Sequence, residues 1–251
     1  MTSAMRQRDV ALGAAGLILA WQAMAWLVQR EVLPGPYDVL LALIRELPRG
    51  LGRHFVVSGW RVVASVILAV ATATPAGLAL GQSEALNRIF APLVYILYPI
   101  PKIVFLPIIL LFLGIGESSK IFIIALILFF QVLVVVRDQA STLRPELIYS
   151  VRSLGAGRRA LFRFVYLPAT LPAVLTALRV SVGTAIAVLF FAESFATTSG
   201  LGYYIIVEAW GRLAYAEMYA GVVAMSALGL LLYFAIDWSE RRLCPWLFVA
   251  S

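Results

Sequence analysis

One cysteine, Cys244, and one histidine, His54, are the whole supply of soft metal ligands in 251 residues. A lone cysteine excludes an internal disulfide and a cysteine-ligated metal cluster. A lone histidine argues against a histidine metal site and against a Ser-His-Asp hydrolase. Beside Arg53, at the mouth of an apolar run, His54 reads as a structural histidine at an interface. The chain has no GxxxxGK loop followed by Ser or Thr, so it does not bind and hydrolyse ATP in the usual way. It also lacks HExxH, GxSxG and any paired-carboxylate arrangement with a plausible base. Nothing marks it as an enzyme or as the holder of a cofactor. Charge is scarce too: 13% of residues are charged, against about 25% in a soluble domain.

In place of charge stand long hydrophobic runs. The chain is 62% hydrophobic, and the runs are long enough for helices to cross a lipid bilayer. The fold class expected is an all-α integral membrane protein with six transmembrane helices. The net charge of +7 flanks the apolar runs, as in membrane proteins that keep cations on the inner side, so no nucleic-acid partner is implied.

Residues 10–29 carry no charge and make the first predicted span, with Arg6 and Arg8 before it. Ala23-Met24-Ala25 resembles a signal-peptide cleavage site. The run is 20 residues long, however, and continues through Trp26 and Leu27, so a retained helix is expected. In 30–60 a turn precedes a short amphipathic helix with Leu40, Leu43, Ile44 and Leu47 on one face, suited to lying at the membrane surface. Span two is 62–83, opened by Arg61 and kinked at Pro75. Span three, 89–113, holds Pro92, Pro99, Pro101 and Pro107 around Lys102. Prolines free carbonyls that must be satisfied by neighbours or by water in a cavity. Lys102 is therefore either part of a pathway wall or a lysine snorkelling to an interface. A turn at 114–120 leads to span four, 121–136. Span five is 171–193, with Arg179 and Glu193 near its ends. A loop over 197–217 leads to span six, 218–236.

Six crossings place both termini on one side. Eleven Lys and Arg residues then flank the side of the termini and six the other, which predicts cytoplasmic termini.

The stretch 137–172 falls on that inner side, between spans four and five. It carries six arginines against Asp138 and Glu146. Leu147, Ile148, Val151 and Leu154 form one apolar stripe on a helix. Pro145 suits its first position, and Glu146 then lies at the positive end of the helix dipole. Gly155-Ala156-Gly157 breaks the helix. Leu161, Phe162 and Val165 give a second stripe, ended by Pro168 and Pro172. Helices of roughly ten residues are marginal in water alone, so the pair needs a surface to dock on, and another protein is the expected one.

The spacing here resembles the EAA loop of binding-protein-dependent ABC transporter permeases: Glu-Ala-Ala, three residues, Gly, nine residues, Ile-x-Leu-Pro. Tyr149-Ser150-Val151, Gly155 and Val165-Tyr166-Leu167-Pro168 stand at those places. Tyr149 replaces the family's glutamate, and Glu146 is the nearest acid, one turn earlier. RSLGAGRRALFRFVYLPATLPAVLTALR, FLPIILLFLGIGESSKIFIIAL (105–126) and SGLGYYI (199–205) are similar to the nitrate/sulfonate/taurine branch, and the likeness covers about 55–245. The resemblance implies a single permease domain over 1–251 in the bacterial inner membrane, forming the path of a small anionic solute such as a sulfonate, nitrate or taurine. It implies a homodimer, two ABC ATPase subunits that bind the ATP, and an external solute-binding protein. It also implies that Glu146, Leu147, Tyr149, Ser150, Val151, Gly155, Ala156, Gly157, Leu167 and Pro168 make the ATPase contact. Arg61, Lys102, Arg179 and Glu193 are candidate path residues, the three cations suiting an oxyanion. The competing reading is a secondary transporter driven by an ion gradient. It needs intramembrane acids, of which Glu193 is the one clear case, and internal inverted repeats, which are not seen.

Overall fold

The computed structural model describes residues 7–195 and 197–247, and within them all regular structure is helical. The helices are α1 (Gln7–Val28), α2 (Pro36–Glu46), α3 (Gly52–Gln82), α4 (Glu84–Leu97), α5 (Leu106–Leu113), α6 (Glu117–Ser141), α7 (Pro145–Ser153), α8 (Arg158–Leu161), α9 (Leu167–Ser194), α10 (Leu201–Tyr203) and α11 (Tyr215–Leu243). Among the described residues four helical stretches are long and apolar enough to cross a membrane: Pro36–Gln82, Glu117–Ser141, Arg159–Ser194 and Tyr215–Leu243. A fifth crossing is available if Glu84–Leu97 and Lys102–Leu113, bent by 82°, form one broken span. Leu12–Val28 is a shorter apolar helix. The extreme termini, 1–6 and 248–251, on which the cytoplasmic expectation bears, lie outside the described residues.

The chain forms two compact units. The first comprises 1–57 and 198–226. There the Trp21 indole N–H donates to the Pro34 carbonyl at 3.1 Å, tying α1 to the turn before α2. Val39 and Ala42 of α2 bury against Ala220, with Leu43 packed beside them, while Leu40 and Ile44 of α2 and Leu47 just after it stay exposed. The expected four-residue face is thus split, and Pro36–Gln82 runs as one helical stretch. The expected loop 197–217 is instead helical through 201–212. Leu201, Tyr204, Ile205 and Ala209 are all buried, a helical spacing that the surrounding glycines mask in the sequence. Gly221 permits this packing, since a Cβ there would lie 2.6 Å from Ile205 Cγ1.

The second unit comprises 58–197 and 227–251. Its core joins Ala73 and Leu78 of α3, Val94 of α4, Val132, Leu133 and Val136 of α6, and Val174 and Leu178 of α9. Gln82 Nε2 donates to the Ala140 carbonyl, closing the end of α3 on the end of α6. The Ser83 side chain caps α4 by accepting from the Leu86 N–H. Helix α6 begins at Glu117, so Glu117 to Lys120, expected in a turn, form its first residues.

The 137–172 stretch departs from expectation in one respect. It holds one free-standing short helix, α7, not two. Helix α8 runs through a π-helical turn at 162–166 into α9, giving one stretch over Arg159–Ser194. Across the widened turn the Leu167 N–H reaches Phe162 O, so Pro168 falls in the first turn of α9, where no amide donor is required. Pro172 lies inside the helix and does not end it.

Candidate functional site

Arg61 on α3 is 1% exposed and has carboxylates on two edges. Its Nε donates to Glu117 Oε2 at 2.8 Å, with Nη2 on the other Glu117 oxygen. Its Nη1 donates to Glu193 Oε1 at 2.6 Å. Glu193 is itself fully buried, and both its oxygens accept from Ser58 Oγ, at 2.9 and 2.8 Å. Nearby Lys120, 1% exposed, donates to the carbonyls of Ile115 at 2.6 Å and Gly116 at 3.1 Å. The start of α6 is thereby bound to α3 and to the end of α9. A buried charge needs such partners, because desolvation costs several kcal/mol per ion.

The four candidate path residues do not gather into one row. Arg61 and Glu193 meet. Arg179, 14 residues before Glu193 on α9 and so about 21 Å away along the axis, pairs with α11 instead. Its Nη1 reaches Glu240 Oε2 at 2.7 Å and Asp237 Oδ1 at 3.1 Å. Lys102 sits at the bend between α4 and α5. Its Nζ donates to the carbonyls of Leu97 at 2.8 Å, Tyr98 at 2.9 Å and Ile100 at 3.2 Å, and lies 4.4 Å from the centre of the Phe130 ring. Pro101 has no N–H to give to Leu97 O, and the ammonium supplies it. Sequence reading missed Ser58, Glu117, Asp237 and Glu240. For Glu117, Asp237 and Glu240 the signal was opposite charge at the ends of different spans, which one sequence does not pair; Ser58 carried none.

In the 137–172 stretch, Glu146, Leu147, Tyr149 and Ser150 on α7 are exposed, and Val151 is half-buried. Leu154 is 85% exposed. Gly155, at φ +83°, ends α7: its N–H reaches Arg152 O at 2.9 Å, and the Ala156 N–H reaches Val151 O at 3.4 Å. This paired closure is a Schellman cap, which favours glycine at its left-handed position. Ala156 is half-buried, Gly157 exposed, and Leu167 and Pro168 half-buried. Leu147, Val151, Phe164, Val165, Pro168 and Trp246 line an apolar groove. The ten residues thus form two surfaces on either side of the cap, with Trp246 an addition the sequence did not flag.

His54 is structural in its own unit. Its Nδ1 accepts from the Gly200 N–H at 3.0 Å, which leaves Nε2, 3.3 Å from Glu208 Oε1, as the protonated nitrogen. It pins the start of the 201–212 segment, between the rings of Tyr203 and Tyr204. Among the described residues no group of three or more His, Cys, Asp or Glu side chains is arranged to hold a metal ion.

Comparison with known proteins adds the following. Residues 50–247 match the family described as binding-protein-dependent transport system inner membrane component. The taurine transport system permease protein TauC of Escherichia coli is 32% identical over 96% of this chain and 90% of its own length. SsuC of Bacillus subtilis, named as an aliphatic sulfonates transport permease, is 28% identical over 92% of this chain and 84% of its own. A chain from a structure of the MetNI methionine ABC transporter in inward-facing conformations superposes with a TM-score of 0.63 at 22% identity, covering 77% of this chain and 95% of that one.

Proposed function

We infer the function from one premise: this chain belongs to the family of binding-protein-dependent transport system inner membrane components. It is a permease subunit of an ABC transporter and a multi-pass inner membrane protein. It is not itself catalytic, since ATP is hydrolysed by a separate ATPase subunit. Family members work with that ATPase and with a solute-binding protein. The secondary-transporter reading does not survive this membership.

The finer reading is a proposal. The cargo is a small organic anion of the sulfonate class, taurine among them; the kinship with TauC is the observation that carries it. The chain crosses the membrane six times, by the four long stretches, the broken α4–α5 pair and α1, with its termini and the 137–172 stretch in the cytoplasm. The charge bias supports this orientation. The meeting of Arg61, Glu117 and Glu193 agrees with the alternation of spans two to five, which carries all three on one side whichever way the chain faces. Two copies form a homodimer with two ATPases. Helix α7 and the groove beside it dock on the ATPase, and ATP-driven closure rocks the permeases between inward-open and outward-open states. With Tyr149 in place of the family's glutamate, Glu146 supplies the acid on the exposed face of α7.

The test is reconstitution of the permease with its ATPase and binding protein in proteoliposomes. ATP-dependent, protonophore-insensitive taurine uptake, competed by alkanesulfonates and not by neutral analogues, is expected. ATP-dependent uptake of a different solute class would overturn the cargo, and uptake driven by an ion gradient would overturn the coupling.

A further inference from the structure

We propose that Arg61 is an anion-exchange site for the transported solute, in which Glu117 holds the guanidinium edge that the solute takes during passage. The proposal rests on the permease reading above and names where its anionic cargo is recognised.

The two carboxylates on Arg61 are not equivalent. Glu193 is wholly buried, takes Nη1, and is itself held through both oxygens by Ser58 Oγ. It anchors the guanidinium. Glu117 takes Nε and Nη2, the edge that presents two parallel N–H donors, and its side chain is 49% exposed. One edge of a buried arginine is thus fixed, and the other is covered by a carboxylate that already reaches the surface. Glu117 is the first residue of α6 and follows Gly114-Ile115-Gly116. Gly114 has φ +74°, and a Cβ at Gly114 or Gly116 would meet nothing within 4 Å. The backbone of the turn is held by Lys120, at Ile115 O and Gly116 O, so release of Arg61 asks only for a rotamer change of the half-exposed Glu117 side chain.

Charge sets the class of the replacement. Arg61 and Lys120 oppose Glu117 and Glu193, and the four cancel. Lys120 is spent on two carbonyls of the turn. When Glu117 leaves, the cluster carries one net positive charge away from bulk water, where an unpaired charge is costly. An incoming monoanion restores neutrality. Two parallel N–H donors select a group with two oxygens spaced like those of a carboxylate, which a sulfonate also offers. A neutral sulfone of the same size offers two oxygens but does not restore the charge. The other two cations differ: Lys102 is held by three carbonyls, and Arg179 meets two acids through Nη1, so its charge is already more than balanced.

The experiment uses the purified permease–ATPase complex in lipid nanodiscs, titrated with methanesulfonate and, as the neutral probe, dimethyl sulfone. Glu117→Gln removes the internal competitor and is expected to bind methanesulfonate about tenfold or more tightly than the wild type, with no gain for dimethyl sulfone. Glu117→Asp, which keeps the charge and shortens the reach, falls between the two. Arg61→Gln combined with Glu193→Gln, which removes one charge of each sign and leaves the cluster neutral, abolishes methanesulfonate binding. Equal affinities for the wild type and both Glu117 variants, or equal gains with the neutral probe, overturn the proposal. ATPase stimulation by loaded binding protein is measured on the same wild-type preparation. Its absence overturns the permease reading, whereas normal stimulation with unchanged sulfonate affinity overturns the exchange site alone.

Discussion

Gly81 of α3 is pressed against Ala140 of α6: a Cβ on Gly81 would lie 2.6 Å from the Ala140 Cβ and 2.6 Å from the Arg137 carbonyl oxygen. One turn earlier, a Cβ on Gly77 would lie 2.8 Å from Val136 Cβ. The two glycines, four apart, make a small-xxx-small crossing. In lipid, where apolar burial drives little helix association, such close backbone approach is a main source of adhesion. The obstructing atoms at Gly81 include backbone, which does not step aside. Gly81→Leu is expected to cost about 1–3 kcal/mol and to lower the yield and thermal stability of the folded permease in detergent. Gly183→Ala, whose Cβ would meet nothing within 4 Å, is the control and should leave both unchanged.

Gly155 isolates the coupling surface from the rest of the fold. Its φ is +83°, and nothing lies within 4 Å of a Cβ built on it, so a side chain there meets backbone strain and no clash. Gly155→Val should cost about 1–2 kcal/mol locally and re-aim α7. Membrane insertion should persist while uptake is uncoupled from ATP hydrolysis. Leu147→Asp, which puts a charge on the apolar groove, should weaken retention of the ATPase in a pull-down. Wild-type retention and uptake in both variants would remove 146–160 from the coupling contact.

Arg179 clamps α9 to α11 through Asp237 and Glu240. Arg179→Leu leaves Glu240, with a side chain only 8% exposed, without its cation, while Asp237 keeps Arg241 at 3.1 Å, and should cost about 1–3 kcal/mol. The amount of folded complex should fall while transport per folded complex holds. Adding Glu240→Gln should restore the amount. A loss of transport in a fully assembled complex would instead put Arg179 on the solute path.

Lys102 replaces amide donors that the prolines at the bend remove. Lys102→Met keeps the apolar stem and takes the ammonium from the carbonyls of Tyr98 and Ile100, and from that of Leu97, which keeps the Ile100 N–H at 3.3 Å. These residues are exposed among the described ones, so the loss of a charge-assisted hydrogen bond, up to about 1–3 kcal/mol, is felt in full only where lipid and not water covers the bend. Thermal unfolding in detergent should shift down accordingly, with Lys102→Arg partly restoring it. An unchanged midpoint would mean that water satisfies the bend.

Cys244 follows α11 and is fully buried. Burial, and then the charge of Glu240, raise its thiol above the ordinary value of 9.0. Below that value the thiol is protonated whether the chain is folded or not, and the contribution to stability is complete. As pH rises past 9.0 the unfolded chain loses the proton first, so stability falls. At pH 8 a thiol reagent should label the native permease slowly from either side of the membrane and the denatured chain quickly. Rapid native labelling would contradict the burial. Reagent sidedness at Cys244 is therefore a poor reporter of topology.

What the sequence by itself determined was local. Hydropathy marked 121–136, which the structure places within the candidate span Glu117–Ser141, because whether a helix can cross a bilayer depends on its own composition. Of 10–29, all but Gln29 falls in Gln7–Val28, whose apolar part, Leu12–Val28, is shorter than the candidate spans. The stripe from Leu147 to Leu154, the break at Gly155 and the spacing that resembles the family loop were likewise written in adjacent residues. Helical spacing over 201–212 was present as well, but its glycines read as turns, and burial in its own unit overrode them. The π-helical turn that joins α8 to α9 hid behind Pro168 in the same way. Only the tertiary structure decided which charges meet. Arg61 finds Glu117 and Glu193 at separations of 56 and 132 residues, and Arg179 finds Asp237 and Glu240 at 58 and 61. The partner of a buried charge is set by which helix ends come together in space, and neither hydropathy nor periodicity along a single chain carries that information.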